Sequence, residues 1–144
     1  MIPIQILLVE DNEGDVVLTL EAFESIRLVN TVQVVNDGEE AIHYLNKQGR
    51  FANVTEPDMI LLDINLPKID GKEVLAYIKN HERFKVIPVV ILTSSASEKD
   101  INDTYAEHAN CYITKPVDFN KFITVIKSIE SFWINIVQLP VKSN

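Results

Sequence analysis

The sequence predicts an α/β domain built on one open parallel sheet with helices on both faces. Three observations carry that prediction. Short apolar runs alternate five times with segments of helical periodicity. The first run, IQILLV at residues 4–9, is apolar and β-branched, as a strand buried on both faces should be. The length of 144 residues, with 47% apolar and 24% charged residues, suits a single soluble domain whose core needs no disulfide or metal to hold it.

The elements follow in order along the chain. After the first strand, Val16, Leu20 and Phe23 fall at i, i+4 and i+7 and mark one helix face. TVQVV at 31–35 reads as the second strand. DGEEAIHYL opens the second helix, with Ala41, Ile42 and Leu45 turned inward. DMILL at 58–62 is the third strand and GKEVLAYIK the third helix. PVVILT at 88–93 is the fourth strand. SEKDINDTYAEH at 97–108 is a helix with few apolar residues. CYIT at 111–114 is a short fifth strand. Phe119, Phe122, Ile123, Ile126 and Ile129 then form a strong helical stripe. Five βα units in a row imply right-handed crossovers and a parallel sheet. No repeat or linker divides the chain, so one domain is expected over residues 1–144, with a core over about 4–131 and an apolar extension over 132–144.

The charge balance excludes some functions. Thirteen basic against twenty-one acidic residues give a net charge of −8, whereas nucleic-acid binding needs a basic footprint. Cys111 is the only cysteine, so no internal disulfide can form. No apolar stretch reaches the roughly 18 residues that span a bilayer, and no basic region precedes the first apolar run. The expected location is the cytoplasm, without membrane or nucleic-acid partners.

In open parallel sheets, ligands sit beyond the carboxyl ends of the strands, where the strand order reverses. This rule gathers Glu10 and Asp11 after strand one, Asp63 after strand three, Thr93 and Ser94 at the end of strand four, and Lys115 and Pro116 after strand five. Carboxylates so close repel, and oxygen-only ligands suit a hard cation such as Mg²⁺. Asp11 and Asp63 would be direct ligands, with Glu10 acting directly or through water. Lys115 can pair with a carboxylate or a phosphoryl oxygen, and Thr93 offers a hydroxyl to the latter. A carboxylate nucleophile, a metal and a lysine suffice for phosphoryl transfer to Asp63. Taken alone, each residue has a plainer explanation, as helix cap, turn or strand former. Their joint occurrence at four strand ends favours the functional one.

ILLVEDN, ILLDINLPKIDG, VVILTSSAS and CYITKPVD resemble the four signature stretches of response-regulator receiver domains, a likeness that spans about residues 4–130. The resemblance implies a flavodoxin-like fold with strand order 2-1-3-4-5, and phosphorylation of Asp63 by a histidine kinase. It implies a metal held by Glu10, Asp11, Asp63 and the carbonyl of Asn65. The expected ion is Mg²⁺, with Mn²⁺ or Ca²⁺ as substitutes. Thr93, Ser94 and Lys115 match the phosphoryl-binding positions, and Thr93 and Tyr112 the switch pair. The resemblance also implies a cis Lys115–Pro116 peptide. The stretch from His108 to Trp133, followed by VQLP, is similar to single-domain regulators paired with cyanobacterial phytochromes, which implies a phytochrome-type kinase as partner.

Rival functions fit less well. A dehalogenase-type phosphatase needs a second aspartate where Asn65 stands. An FMN binder needs a phosphate loop where EDNEGD would repel phosphate. A dinucleotide fold needs the absent G-x-G-x-x-G. A pseudo-receiver, acting only as an interaction module, is disfavoured by the presence of Asp11, Asp63, Thr93 and Lys115 together. His43, His81 and His108 have no metal spacing, and Gly38 and Gly71 read as turn or helix-start glycines. No effector domain is seen, so output is expected through contact with a downstream protein. Phe132, Trp133 and Leu139 are the candidates for a homodimer interface, because apolar side chains of this number favour burial against a partner.

Overall fold

The structure, a computed structural model, describes residues 3–27, 29–115 and 119–135. Strands β1 (Ile4–Val9), β2 (Asn30–Val35), β3 (Met59–Leu62), β4 (Val89–Thr93) and β5 (Cys111–Thr114) form one parallel sheet in the order 2-1-3-4-5. Helices α1 (Glu13–Glu24), α2 (Gly38–Leu45), α3 (Gly71–Lys79), α4 (Glu98–Ala106) and α5 (Phe119–Asn135) alternate with them. This strand order with helices between the strands is the flavodoxin-like arrangement that the sequence predicts. No helix among the described residues is long and apolar enough to cross a membrane.

Alternation along the central strands divides the core. Leu7, Val9, Ile60, Leu62, Val89 and Ile91 face α2 and α3, where Ala41, Tyr44, Leu45, Val74, Leu75 and Ile78 meet them. Ile6, Leu8, Met59, Leu61, Val90 and Leu92 face the opposite side, against Ala22 and Phe23 of α1 and Ile126 of α5. Each fully buried aliphatic side chain contributes about 1.5–3 kcal/mol.

Two helix faces differ from the sequence prediction. On α2, Tyr44 is buried with Ala41 and Leu45, whereas Ile42 is half-buried. Tyrosine can fill an inward position because its hydroxyl reaches a polar partner, here the Thr55 carbonyl at 3.4 Å. On α1, Thr19 is buried and Leu20 only half-buried. The Thr19 hydroxyl donates to the Asp15 carbonyl at 2.7 Å, which removes the penalty for burying it. Cys111 is half-buried on β5 and packs against the core on the α1 and α5 side. Helix α5 continues through Asn135, so Phe132 and Trp133 extend that helix instead of opening a separate tail. The side chains of Phe132 and Trp133, all of Leu139, and the Lys115–Pro116 peptide lie outside the described residues.

Gly71 locks the loop that carries Asp63. A Cβ there would lie 2.3 Å from the Asp63 carbonyl oxygen and 2.4 Å from the Ile64 Cα. Its N–H also donates to the Ile64 carbonyl at 3.0 Å. Backbone cannot yield as a flexible side chain can, so Gly71→Ala is expected to destabilise the fold by about 1–3 kcal/mol. Denaturant titration checks this, and an unchanged midpoint would refute it.

Candidate functional site

Strand register brings the candidate residues together. Val9 pairs with Leu62, and the Asp63 N–H continues the ladder to the Val9 carbonyl at 3.1 Å. Glu10 therefore leaves β1 beside Asp63. Thr93 pairs with Thr114 on the next strand, and the Lys115 N–H donates to the Thr93 carbonyl at 2.7 Å. Glu10, Asp63 and Lys115 open into one cleft, which Asp11, Asn12, Asp15, Asn65 and Ser94 also line, and Thr93 lies buried beneath it.

Asp63 is 6% exposed and its two oxygens have different partners. Oδ1 accepts from the Thr93 hydroxyl at 2.8 Å and from the Asn65 N–H at 3.0 Å. Oδ2 accepts from the Lys115 ammonium at 3.0 Å. Burial works against ionisation of Asp63. The Asn65 N–H, Lys115 and the Thr93 hydroxyl outweigh it and hold the carboxyl below its ordinary range.

Glu10 is also buried, and burial pushes its carboxyl up to about 7 despite an ion pair with Lys115. Proximity to Asp63 pushes in the same direction as burial, but is a smaller influence. Its Oε2 accepts the N–H groups of Asp11 and Asn12 at 3.1 and 3.3 Å. Asp11 is exposed, and its carboxylate has no hydrogen bond or ion pair with another described residue. Carboxylate oxygens of Glu10, Asp11 and Asp63 lie within 4.8 Å of one another. This all-oxygen donor set fits a hard divalent cation.

Lys115 is the hub of the site. Its side chain is 8% exposed, and Nζ pairs with Glu10, with Asp63 and, at 2.8 Å, with Asp15. Burial favours the neutral amine, but the bonds to the three carboxylates outweigh it and raise its pKa above the ordinary lysine value. The sequence reading missed Asp15. Its only signal there is a position four residues after Asp11, on the first turn of α1, where acidic residues commonly serve the helix terminus.

A chain of hydrogen bonds leads from the cleft to α4. Besides bonding Asp63, the Thr93 Oγ accepts the Ser95 N–H at 3.5 Å. The Ser95 carbonyl accepts from the Tyr112 hydroxyl at 2.7 Å. The Ser95 hydroxyl donates to Asp100 at 2.6 Å, and Asp100 pairs with Lys72 of α3. Thr104 is the only buried side chain on α4, so polar contacts hold that helix to its neighbours. Lys72 foremost, then Ser95, keeps the Asp100 carboxyl at about 2. A folded pKa below the unfolded value of 3.8 means that this contribution is present above that value and lost as pH falls toward 2. Amide exchange between pH 4 and 2 should show α4 losing protection before the sheet does. Simultaneous loss would refute that order.

Residues 6–127 match the family model of the response regulator receiver domain. The chain belongs to that family. The receiver is 43% identical over 138 residues to the response regulator Rcp1 of Synechocystis, covering 96% of this chain and 94% of that one. The phosphorylated cyanobacterial phytochrome response regulator RcpA superposes with a TM-score of 0.91 at 46% identity, covering 97% of the receiver and all of RcpA. The Mn²⁺-bound form of Rcp1 superposes with a TM-score of 0.89 at 42% identity, covering 96% of the receiver and all of that chain. The receiver is thus a two-component response regulator of the Rcp1 and RcpA type.

Proposed function

We propose that this receiver accepts a phosphoryl group on Asp63 from the phosphohistidine of a sensor histidine kinase, in a reaction that depends on Mg²⁺. The observation that carries this reading is the asymmetric grip on Asp63. Thr93 and Asn65 both hold Oδ1. Oδ2 meets the ammonium of Lys115 and is the oxygen left to attack phosphorus. In the transfer, Oδ2 forms a bond to phosphorus as the P–N bond of the donor breaks, and the electron pair returns to the imidazole nitrogen. Lys115 bonds a phosphoryl oxygen from donor binding onward, and Thr93 turns its hydroxyl to another once the phosphoryl group is on Asp63.

Glu10, Asp11, Asp63 and the Asn65 carbonyl would hold the cation. When bound, it supplies positive charge against the phosphoryl oxygens. Mn²⁺ or Ca²⁺ would substitute. Mg²⁺ at a hundredfold excess over its dissociation constant should stabilise the fold by about 2.7 kcal/mol. Asp11→Ala should abolish most of that gain in a thermal melt. An equal gain in the variant would remove Asp11 from the site.

The likeness to RcpA and Rcp1 supports a phytochrome-type kinase as donor. The cytoplasm is the compartment that fits such a donor. Signalling would run through the Thr93–Ser95–Tyr112 chain to α4 and β5. When Thr93 leaves Asp63, Ser95 and the Tyr112 ring can rearrange, which alters a surface for a downstream protein. A homodimer built on Phe132, Trp133 and Leu139 would carry the same change to a second copy. Sedimentation of the full chain against a version ending at Ser131 tests the dimer, and a monomeric full chain would remove it.

Incubation with acetyl phosphate, or with a purified phytochrome-type kinase and ATP, tests the central reading. An acid-stable, hydroxylamine-sensitive phosphate on Asp63, formed only with a divalent cation, is expected. A phosphate on another residue would overturn the assignment.

A further inference from the structure

Lys115 has three ammonium protons, and three carboxylates surround it. Glu10 and Asp63 belong to the proposed cation and acceptor set. Asp15 belongs to neither, yet its Oδ2 lies 2.8 Å from Nζ. We propose that Asp15 is a positioning residue that tethers Lys115 in the unphosphorylated site and competes with the incoming phosphoryl group for it. This rests on the reading of Asp63 as phosphoacceptor.

The tether is built into α1. The Asp15 N–H donates to the capping Asn12 Oδ1 at 2.9 Å, and the Asp15 carbonyl accepts from the buried Thr19 hydroxyl at 2.7 Å. Both ends of the residue are therefore fixed, and its carboxylate reaches Lys115 from a rigid turn. Among the three partners of Lys115, Asp15 is the most accessible. Its side chain is 32% exposed, against 3% for Glu10 and 7% for Asp63. Water can replace Lys115 on Asp15 far more readily than on the two buried acids. Asp15 is thus the partner that can release the ammonium when it moves onto a phosphoryl oxygen.

Competition has a kinetic signature. Asp15 shares the positive charge of Lys115 and adds one negative charge to the cleft, and both weaken binding of an anionic donor. Lys115 would contact the phosphoryl group in the bound donor and in the transition state alike. Removing the competitor should therefore act on KM and leave kcat nearly unchanged.

The test uses the full chain with Mg²⁺ and acetyl phosphate. Asp15→Asn keeps the shape and removes the charge, and Asp15→Ser is a second neutral variant should the first fold poorly. The half-saturating acetyl phosphate concentration is expected to fall roughly twofold to fivefold, the scale of one partly exposed charge pair. Asp15→Glu, which restores the charge, should return it toward the wild-type value. A purely structural role would not separate the amide from the acid in this way. Nitrogen-15 NMR of labelled lysine reads the tether without metal or donor. The Lys115 ammonium resonance should move in Asp15→Asn and stay near its wild-type position in Asp15→Glu. An unchanged or raised KM in both neutral variants, or an unmoved Lys115 resonance, overturns the tether. A wild-type chain that takes no phosphate on Asp63 overturns the phosphoacceptor reading instead, and the NMR result still decides whether Asp15 holds Lys115.

Discussion

Replacing Asp63 by asparagine is expected to slow phosphate uptake, from kinase or acetyl phosphate, by at least about a thousandfold, the scale on which removing a nucleophile acts. An amide oxygen at the Oδ1 position could still accept from Thr93 and Asn65, which meet it at 2.8 and 3.0 Å. The change falls on Oδ2. An amide nitrogen there presents donors to Lys115, which also only donates. The variant thus loses the attacking oxygen and one partner of the buried ammonium, while the nearby carboxylates Glu10 and Asp15 remain as acceptors. The fold should survive, and far-ultraviolet circular dichroism would verify that before rates are compared. Hydroxylamine-sensitive phosphate accumulating in the variant at the wild-type rate would show that another residue is the acceptor.

Much of this site is legible in the sequence because its parts stand at the ends of strands that announce themselves. MILL before Asp63 and VVIL before Thr93 are apolar without interruption, since β3 and β4 are covered on both faces. Once five such runs alternate with helices, strand order and register bring Glu10, Asp63, Thr93 and Lys115 to one edge. What stayed hidden depends on tertiary contact. Asp15 and Lys115 are one hundred positions apart, and nothing local separates a helix-terminal aspartate from a lysine tether. Tyr44 and Thr19 were missed as inward residues for a related reason. Each carries a hydroxyl whose partner, Thr55 or Asp15, is known only from the folded chain. Gly71 read as a helix-start residue. Its close approach to the Asp63 carbonyl is a packing fact that periodicity does not encode.

Lys115→Met is expected to give the largest loss of stability of any single change in the cleft, about 3–5 kcal/mol without divalent cation. Methionine is close to lysine in length and fills much of its space, so packing is largely preserved and the change isolates the charge. Glu10 and Asp63 would be left buried at 2% and 6% exposure, with Asp15 beside them and no cation among the three. Two responses can limit the damage, and both can be measured. The first is protonation. Without Lys115 the Asp63 carboxyl is pushed above its unfolded value and Glu10, already raised, is pushed higher, so the folded state of the variant binds more protons than the unfolded chain. Stability is then retained at low pH and lost as pH rises, and the gap between variant and wild type should widen from pH 5 to pH 8. The second is metal. The carboxylate oxygens of Glu10, Asp11 and Asp63 lie within 4.8 Å of one another, and Lys115 competes for two of those residues. Mg²⁺ should therefore stabilise the variant more than the wild type and recover part of the loss. Denaturant melts at two pH values, each with EDTA and with excess Mg²⁺, separate these responses. A loss below about 1 kcal/mol in EDTA at pH 8, the range of exposed pairs, would mean that solvent already compensates these carboxylates and that Lys115 is not the charge that holds the site together.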